Sequence, residues 1–356
     1  MNENIDKVFA LADASTRRFV PEKMNWSWGQ ALYLYALSRI DTEFGQEKYT
    51  KYLRRYYDHH IENGFRVNTS DTSAPALGAF YLAQKTGEEK YAAVVERVRK
   101  YIKDTPKIVE DMPNHHGTGI ESKIYPKSIW VDSIMMYGVF TNWYAYAKQD
   151  DVLREFAARQ PRMFAKYLQD EETGLFFHSY WTKAKTHYPI EPLFWGRGNG
   201  WVMAAIPLFL QYLPEGEEKQ YAIALLQQLS AALLPYQRSD GYFETVFNRV
   251  GETYEESSAT MLIASGWFFG YRNGYLGREY YDAAVKAFDA VTADFSIKDG
   301  LLSMTKISAP TSPIQLIPYT VYKLTPRGNN WNYGLAAAFF AALEYKRCEE
   351  MMETAE

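Results

Sequence analysis

Glu217-Glu218-Lys219-Gln220-Tyr221-Ala222-Ile223-Ala224-Leu225-Leu226-Gln227-Gln228-Leu229-Ser230-Ala231-Ala232-Leu233-Leu234 is the stretch on which the fold turns. Ala222, Leu225, Leu226, Leu229, Ala232 and Leu233 fall at the i, i+3, i+4, i+7 spacing of a single helix face. Pro214 and Gly216 stand before the run and Pro235 ends it, so its boundaries are written in the chain. The same periodicity predicts helices over 2–18, 27–42, 46–62, 72–86, 88–104, 127–148, 150–168, 198–212, 256–271, 278–293 and 331–347, twelve in all with the first.

Between these helices one kind of punctuation recurs. Asn63-Gly64-Phe65, His116-Gly117, Thr173-Gly174-Leu175, Asp240-Gly241-Tyr242 and Asp299-Gly300-Leu301 place a glycine at intervals of about 60 residues, longer than an ordinary helix-hairpin repeat. Polar-Gly-aromatic steps make tight turns. Five turns separating six helix pairs predict an all-α fold, an (α/α)6 toroid with six inner and six outer helices and a cleft at one end. An irregular helical bundle or open solenoid is the competing arrangement. No linker interrupts the pattern, so residues 1–356 are expected to form one catalytic barrel domain.

Composition narrows the partners. The chain holds 29 Tyr, 20 Phe and 9 Trp, enough rings to pack a large core and to line a sugar-stacking cleft. A net charge of −4 argues against nucleic acid or an anionic membrane as the main partner. Cys348 stands alone, which excludes an intramolecular disulfide and a cysteine metal site. The start, Met1 to Lys7, lacks the pattern of a secretory signal, and the longest apolar run, Trp201 to Leu213, is broken by Pro207 and Gln211. A soluble cytoplasmic protein is expected.

The chain has no HExxH, P-loop or GxSxG pattern, and its six histidines show no metal-ligand spacing. What stands out is Phe194-Trp195-Gly196-Arg197-Gly198-Asn199-Gly200-Trp201. Its glycines let the backbone approach a ligand. Arg197 offers a planar fork suited to a carboxylate, Trp195 and Trp201 offer stacking faces, and a helix N-terminus follows. The competing reading is a turn into the helix with Arg197 paired to an internal acid. In Ser128-Ile129-Trp130-Val131-Asp132, a carboxyl stands at the head of a very apolar helix. Desolvation there raises the pKa and suits Asp132 to proton donation, with Trp130 as a wall; equally, Asp132 satisfies helix-start amides. Asp71, in Asn68-Thr69-Ser70-Asp71, is at another helix start, where an Asp cap is common. In a toroid the two helix starts meet at one cleft, and two carboxyls in unlike settings are what acid–base work on a glycoside needs. His178 and the Trp26 and Trp28 pair are candidate sugar contacts or packing residues. Glu255-Glu256-Ser257-Ser258 is read as capping chemistry.

Taken together, these motifs resemble glycoside hydrolase family 105, the unsaturated rhamnogalacturonyl hydrolases, and more distantly the family 88 unsaturated glucuronyl hydrolases. The carrying residues are Trp130-Val131-Asp132, Gly174-Leu175-Phe176-Phe177-His178, Phe194 through Trp201 and Glu255 through Thr260, in the family's order. The Trp-Gly-Arg-Gly-Asn-Gly-Trp run is the specific one. The resemblance implies an (α/α)6 barrel that hydrates the C4=C5 double bond of a terminal unsaturated uronic acid left by a polysaccharide lyase. It implies Asp132 as acid, Asp71 as second aspartate, and Trp130, His178, Trp195, Arg197, Trp201 and, more loosely, Trp28 as substrate-binding. It implies no metal or organic cofactor, and a small oligosaccharide as partner. The stretches His115-His116-Gly117, Lys123 to Lys127 and Asn329 to Gly334 depart from the pattern, which leaves the leaving-group sugar open. An inverting glycosidase on saturated chains, a sugar epimerase and a silent sugar-binding protein of the same fold are the alternatives.

Overall fold

The computed structural model describes residues 2–313 and 316–355; Met1, Ile314, Gln315 and Glu356 lie outside it. The chain opens with α1 (Glu3–Arg18), α2 (Trp28–Glu43), α3 (Thr50–Asn63), the single turn α4 (Ser70–Ser73), α5 (Ala76–Thr86) and α6 (Glu89–Asp104). Three short strands, β1 (Lys107–Val109), β2 (Met112–Pro113) and β3 (Ser128–Trp130), lead to a π-turn at 134–138 and then α7 (Val139–Ala147), α8 (Asp151–Ala158) and α9 (Gln160–Leu168). β4 (Ser179–Trp181) and β5 (Thr186–Tyr188) precede α10 (Gly196–Leu210), α11 (Glu217–Leu233), α12 (Ser257–Arg272) and α13 (Arg278–Ala293). The chain ends with β6 (Ser296–Lys298), β7 (Leu301–Ser303), β8 (Ile307–Ser308), α14 (Pro318–Leu324), β9 (Arg327–Gly328) and α15 (Asn332–Ala355).

The helices alternate between two concentric rings. Around the inner ring α2 packs on α5, α5 on α7, α7 on α10, α10 on α12, α12 on α15, and α15 back on α2. The outer ring is α1, α3, α6, the α8–α9 pair, α11 and α13. This is the (α/α)6 toroid. Burial follows from the ring a helix occupies. All fifteen residues of α10 are buried, because neighbours cover it on every side. In α11 only Ala222, Leu225, Leu226, Leu229, Ser230 and Leu233 are buried, the single face the periodicity foretells, with Ala232 half-buried at its edge. Removing one such Leu side chain costs about 2–5 kcal/mol. The five glycines of the recurring turn, Gly64, Gly117, Gly174, Gly241 and Gly300, all sit at positive φ. That is the left-handed backbone that makes these steps turns.

Some boundaries differ from the periodicity. The predicted helix 127–148 is three elements. Residues 128–130 are extended because Ser128, Ile129 and Trp130 pair antiparallel with Trp181, Tyr180 and Ser179, and only α7 is an α-helix. The span 150–168 divides at Arg159 before Pro161, which has no N–H to continue a helix. The span 72–86 divides around Pro75 in the same way. The helix predicted over 46–62 starts at Thr50, and the last helix runs on to Ala355. Alternation of outer and inner helices makes the six inner helices parallel to one another. Trp28, Asp71, Asp132, Trp195, Glu256 and Tyr333 therefore stand at or just before inner-helix N-termini, at one mouth of the ring. No helix among the described residues is long and apolar enough to cross a membrane.

Candidate active site

At that mouth lies a cavity of about 260 Å³ whose walls include Asp71, Asp132, Trp28, Trp130, His115 and Thr311. Four segments distant in the chain enclose it: the start of α2, the α4 turn, the stretch 115–132, and residues 310–312 after β8.

Asp132 stands in the turn between β3 and the π-turn. Its backbone carbonyl accepts from Met135 N and Met136 N, both at 3.0 Å, which starts the helix. Its carboxyl is left for the cavity. Oδ2 lies 3.6 Å from Nε2 of His178, and neither atom has a hydrogen-bond partner. Burial is the largest influence on this carboxyl and pushes its pKa up, but His178 and then His115 outweigh it, and the group lies below its ordinary value. The rise expected from desolvation alone is thus reversed by two imidazoles that the chain brings in from elsewhere.

Asp71 is in the opposite condition. Thr69 caps α4, its side chain accepting from Thr72 N while the Thr72 hydroxyl oxygen accepts from Thr69 N, so the cap does not need Asp71. Its carboxyl looks into the cavity, 3.7 Å from His115 Nε2. Desolvation, then the charges of Asp132 and Glu121, push it up to about 7. Two carboxyls on one cavity are therefore pushed apart, so that below about pH 7 Asp71 keeps its proton while Asp132 is ionised.

His115 belongs to the site, although the sequence marks its loop only as a departure from the family pattern and not as a candidate site residue. Its ring lies flat on Trp130, centroids 4.4 Å apart and planes 3° from parallel. Nδ1 is 3.0 Å from Ser133 Oγ. Burial, helped by His116, pushes it down to about 3, so it is neutral at pH 7. The loop that carries it is stitched in place by Ser70 N donating to His115 O and His115 N donating to Ser128 O. It also has a close approach at Gly117, where a Cβ would lie 2.1 Å from Asn68 O. The only signal in the chain is the polar pair His115-His116 before a left-handed glycine. His116 and Tyr125 stack beside it and complete that wall.

Of the other candidates, Trp28 and Trp130 border the cavity, whereas His178, Trp195, Arg197 and Trp201 form the layer behind it. His178 is fully buried, stacked on Trp195 at 4.2 Å. Burial is the largest influence on its imidazole and pushes it down, against the pull of Asp132. Trp201 meets Trp28 edge-on at 6.1 Å, and Trp28 stacks on Tyr333 at 4.6 Å. Arg197 is 1% exposed. Its guanidinium lies 4.8 Å from the ring centroids of both Trp195 and Tyr333. It donates to Ser308 O (3.0 Å), Ala309 O (2.9 Å) and Thr311 Oγ1 (3.4 Å). The fork that sequence reading aimed at a substrate carboxylate is thus occupied by the segment that walls the cavity. The glycines around it serve packing: a Cβ on Gly196 would come 2.6 Å from Glu244 O, and one on Gly198 2.8 Å from the Trp195 ring. Glu256 caps α12, accepting from Ser258 N and Ala259 N. It also accepts from Ser308 N and faces Arg197 at 3.9 Å, so an ion pair underlies β8. Among the described residues no group of three His, Cys, Asp or Glu side chains is arranged to hold a metal ion.

Known proteins resemble this chain along nearly its whole length. Residues 2–349 match Glycosyl Hydrolase Family 88. An unsaturated rhamnogalacturonyl hydrolase of Bacillus subtilis (strain 168), YesR, is 26% identical over 94% of this chain and 94% of its own length. An unsaturated 3S-rhamnoglycuronyl hydrolase of Alteromonas sp. (strain LOR) is 29% identical over 74% of this chain and 67% of its own. The crystal structure of a possible member of the GH105 family from Klebsiella pneumoniae superposes with a TM-score of 0.86 at 23% identity, covering 98% of this chain and 94% of that one. The match runs over nearly all of the chain, inner ring and cavity walls included, and on it the chain belongs to Glycosyl Hydrolase Family 88 and is a glycoside hydrolase.

Proposed function

We propose that this enzyme takes a terminal C4=C5 unsaturated uronic acid from a lyase-generated oligosaccharide by hydrating the double bond, with Asp132 and Asp71 as its catalytic carboxyls. The observation that carries the reading is the pair itself: two carboxyls in unlike protonation states on one small cavity walled by Trp28, Trp130 and His115. The relatives' names supply the substrate class. Six inner-helix N-termini face this mouth, and each favours negative charge, which suits a uronate.

The chemistry adds one water across C4=C5. A proton goes to C4 and the water oxygen to C5, its second proton passing to the ionised carboxylate. The resulting C5 hemiketal opens to a ketone, and the hemiacetal at C1 collapses, freeing the neighbouring sugar with its hydroxyl. In the free enzyme the proton is on Asp71 and Asp132 is ionised. A bound uronate adds a second negative charge, which raises the affinity of the pair for protons. Asp132, oriented by His178, takes up a proton as the uronate binds and delivers it to C4; the carboxylate then left accepts the proton released by the water, while Asp71 stays protonated. Trp28 and Trp130 flank the sugar ring. Arg197 acts by fixing residues 308–311, so that Thr311 and Ser312 present hydroxyls to the cavity. Trp195 and Trp201 hold this layer from behind. The whole chain works as one catalytic domain inside the cell, without a cofactor.

Unsaturated rhamnogalacturonan disaccharide, with rhamnose as leaving group, is the first substrate to test. The assay follows loss of the enol-ether ultraviolet band together with release of free rhamnose. The Alteromonas relative favours a second substrate type, so ulvan- and glucuronan-derived unsaturated oligosaccharides are assayed alongside. Decay with those alone keeps the mechanism and changes the leaving group. A flat trace with every unsaturated uronate removes the proposal and puts saturated glycosides or silent sugar binding ahead.

A further inference from the structure

Helix α14 is short, and most of it faces solvent: Ile317 just before it is 56% exposed and Leu324 at its end 71%. Its one buried residue is Tyr322. It is flanked by β8 and β9, where Ile307 and Ser308 pair with Gly328 and Arg327. Between those pins it delivers one phenol into the layer behind Asp132. Tyr322 Oη lies 2.8 Å from His178 Nδ1, 144 residues away in the chain. It has no other hydrogen-bond partner among the described residues.

That isolation decides which atom donates. A buried phenol O–H must find an acceptor, and Nδ1 is the one within reach. If Nδ1 carried the imidazole proton instead, the phenol proton would be buried with nothing to accept it. The unprotonated nitrogen of neutral His178 is therefore Nδ1, and Nε2 carries the hydrogen. Nε2 faces Asp132 Oδ2 at 3.6 Å, a few tenths of an ångström beyond hydrogen-bond length, and both atoms are otherwise unpartnered. Trp195 stacked on one side and Trp130 edge-on at 5.1 Å prevent the ring from turning away.

We propose that Tyr322 is a positioning residue: its phenol fixes His178 as the Nε2–H tautomer and so aims one donor at the Asp132 carboxylate. The proposal rests on the reading of Asp132 as a catalytic carboxyl only for its kinetic consequence. The tautomer follows from the hydrogen bonds alone. The charged and titratable groups around His178 are Asp132 before the π-turn, His115 on the loop ahead of β3, Arg197 on α10 and Tyr322 itself.

The test is nitrogen-15 NMR of the full chain, with the His178 signals assigned by their loss in His178→Gln. Wild-type protein at neutral pH is expected to show Nδ1 as the unprotonated ring nitrogen and Nε2 as the protonated one. A proton on Nδ1 overturns the proposal, whatever the enzyme's substrate proves to be. Tyr322→Phe keeps the ring against Trp195 and removes the donor. In it the tautomer preference is expected to be lost, and kcat to fall about 10–100-fold with KM little changed. A variant that keeps the wild-type tautomer and kcat shows that Tyr322 only packs. Should Tyr322→Phe not fold, the wild-type spectrum decides alone.

Discussion

Asp132 and Asp71 are chemically identical side chains that the fold makes opposite. Asp132 has two imidazoles near it and is held below its ordinary pKa; Asp71 meets other carboxylates and is pushed up to about 7. Asp132→Asn is expected to lower turnover by about 10²–10⁴ while the far-ultraviolet dichroism stays that of the wild type. Near-full turnover would remove Asp132 from the chemistry. Asp71 makes a separate prediction about stability. An acid whose folded pKa is raised contributes fully at low pH, and its contribution is lost as pH rises from 3.8 through about 7. Asp71→Asn, which cannot ionise, is therefore expected to unfold at higher denaturant concentration than wild type at pH 8 and at a similar one at pH 4. An equal midpoint at pH 8 would show that Asp71 ionises without strain. At this scale the sequence made Asp132, Trp130 and Asp71 visible, because a carboxyl or indole at the head of an apolar helix is a local pattern. His115 and Tyr322 carry no such mark. Their roles arise from stacking on Trp130 and from a contact across 144 residues.

At the scale of elements, the Gly-rich start of α10 was legible as something unusual, but its use was not. A fork suited to carboxylates is equally suited to backbone carbonyls, and only the return of 308–311 over α10 decides between them. Arg197→Lys keeps the charge yet loses the fork geometry that reaches Ser308 O, Ala309 O and Thr311 Oγ1 together. Its KM for an unsaturated uronate is expected to rise, and its affinity for the neutral sugar product to change much less. Equal losses for both would mean that the segment 308–312 does not read the acid. The three-way division of 127–148 was hidden for a related reason. Apolar residues at helical spacing also suit a buried strand, and the pairing partner of β3 lies about 50 residues on, at β4.

For the whole molecule, the helix count and its alternation were legible because every helix is separately amphipathic or wholly apolar. Closure into a toroid was read from the count of six helix pairs alone, since nothing local says that the last helix returns to the second. The seam is held by Glu43 at the end of α2, which accepts from Arg347 Nε (3.0 Å) and Nη2 (2.6 Å) on α15, with Lys346 at 3.3 Å. Burial alone would push the Glu43 carboxyl up, but these cations hold it down. Its contribution is present above the unfolded carboxylate range and lost as pH falls through the folded value. Glu43→Gln is expected to cost about 3 kcal/mol in denaturant unfolding at pH 7, and much less at pH 3. A cost that is the same at both values would show that the seam does not depend on this charge.

The seating of α15 against α2 has a consequence for how the enzyme comes into being. Tyr333, at the head of α15, lies under Trp28, against Arg197, and donates to Ser308 O at 2.5 Å. The support behind Trp28, Arg197 and Ser308 is thus supplied by the last inner helix to be translated. The contact that seals the ring, α15 on α2, spans most of the chain, the kind that forms late. An undocked α15 leaves Trp28, Arg197 and Ser308 without that partner, so activity regained on refolding is expected to track ring closure rather than helix formation.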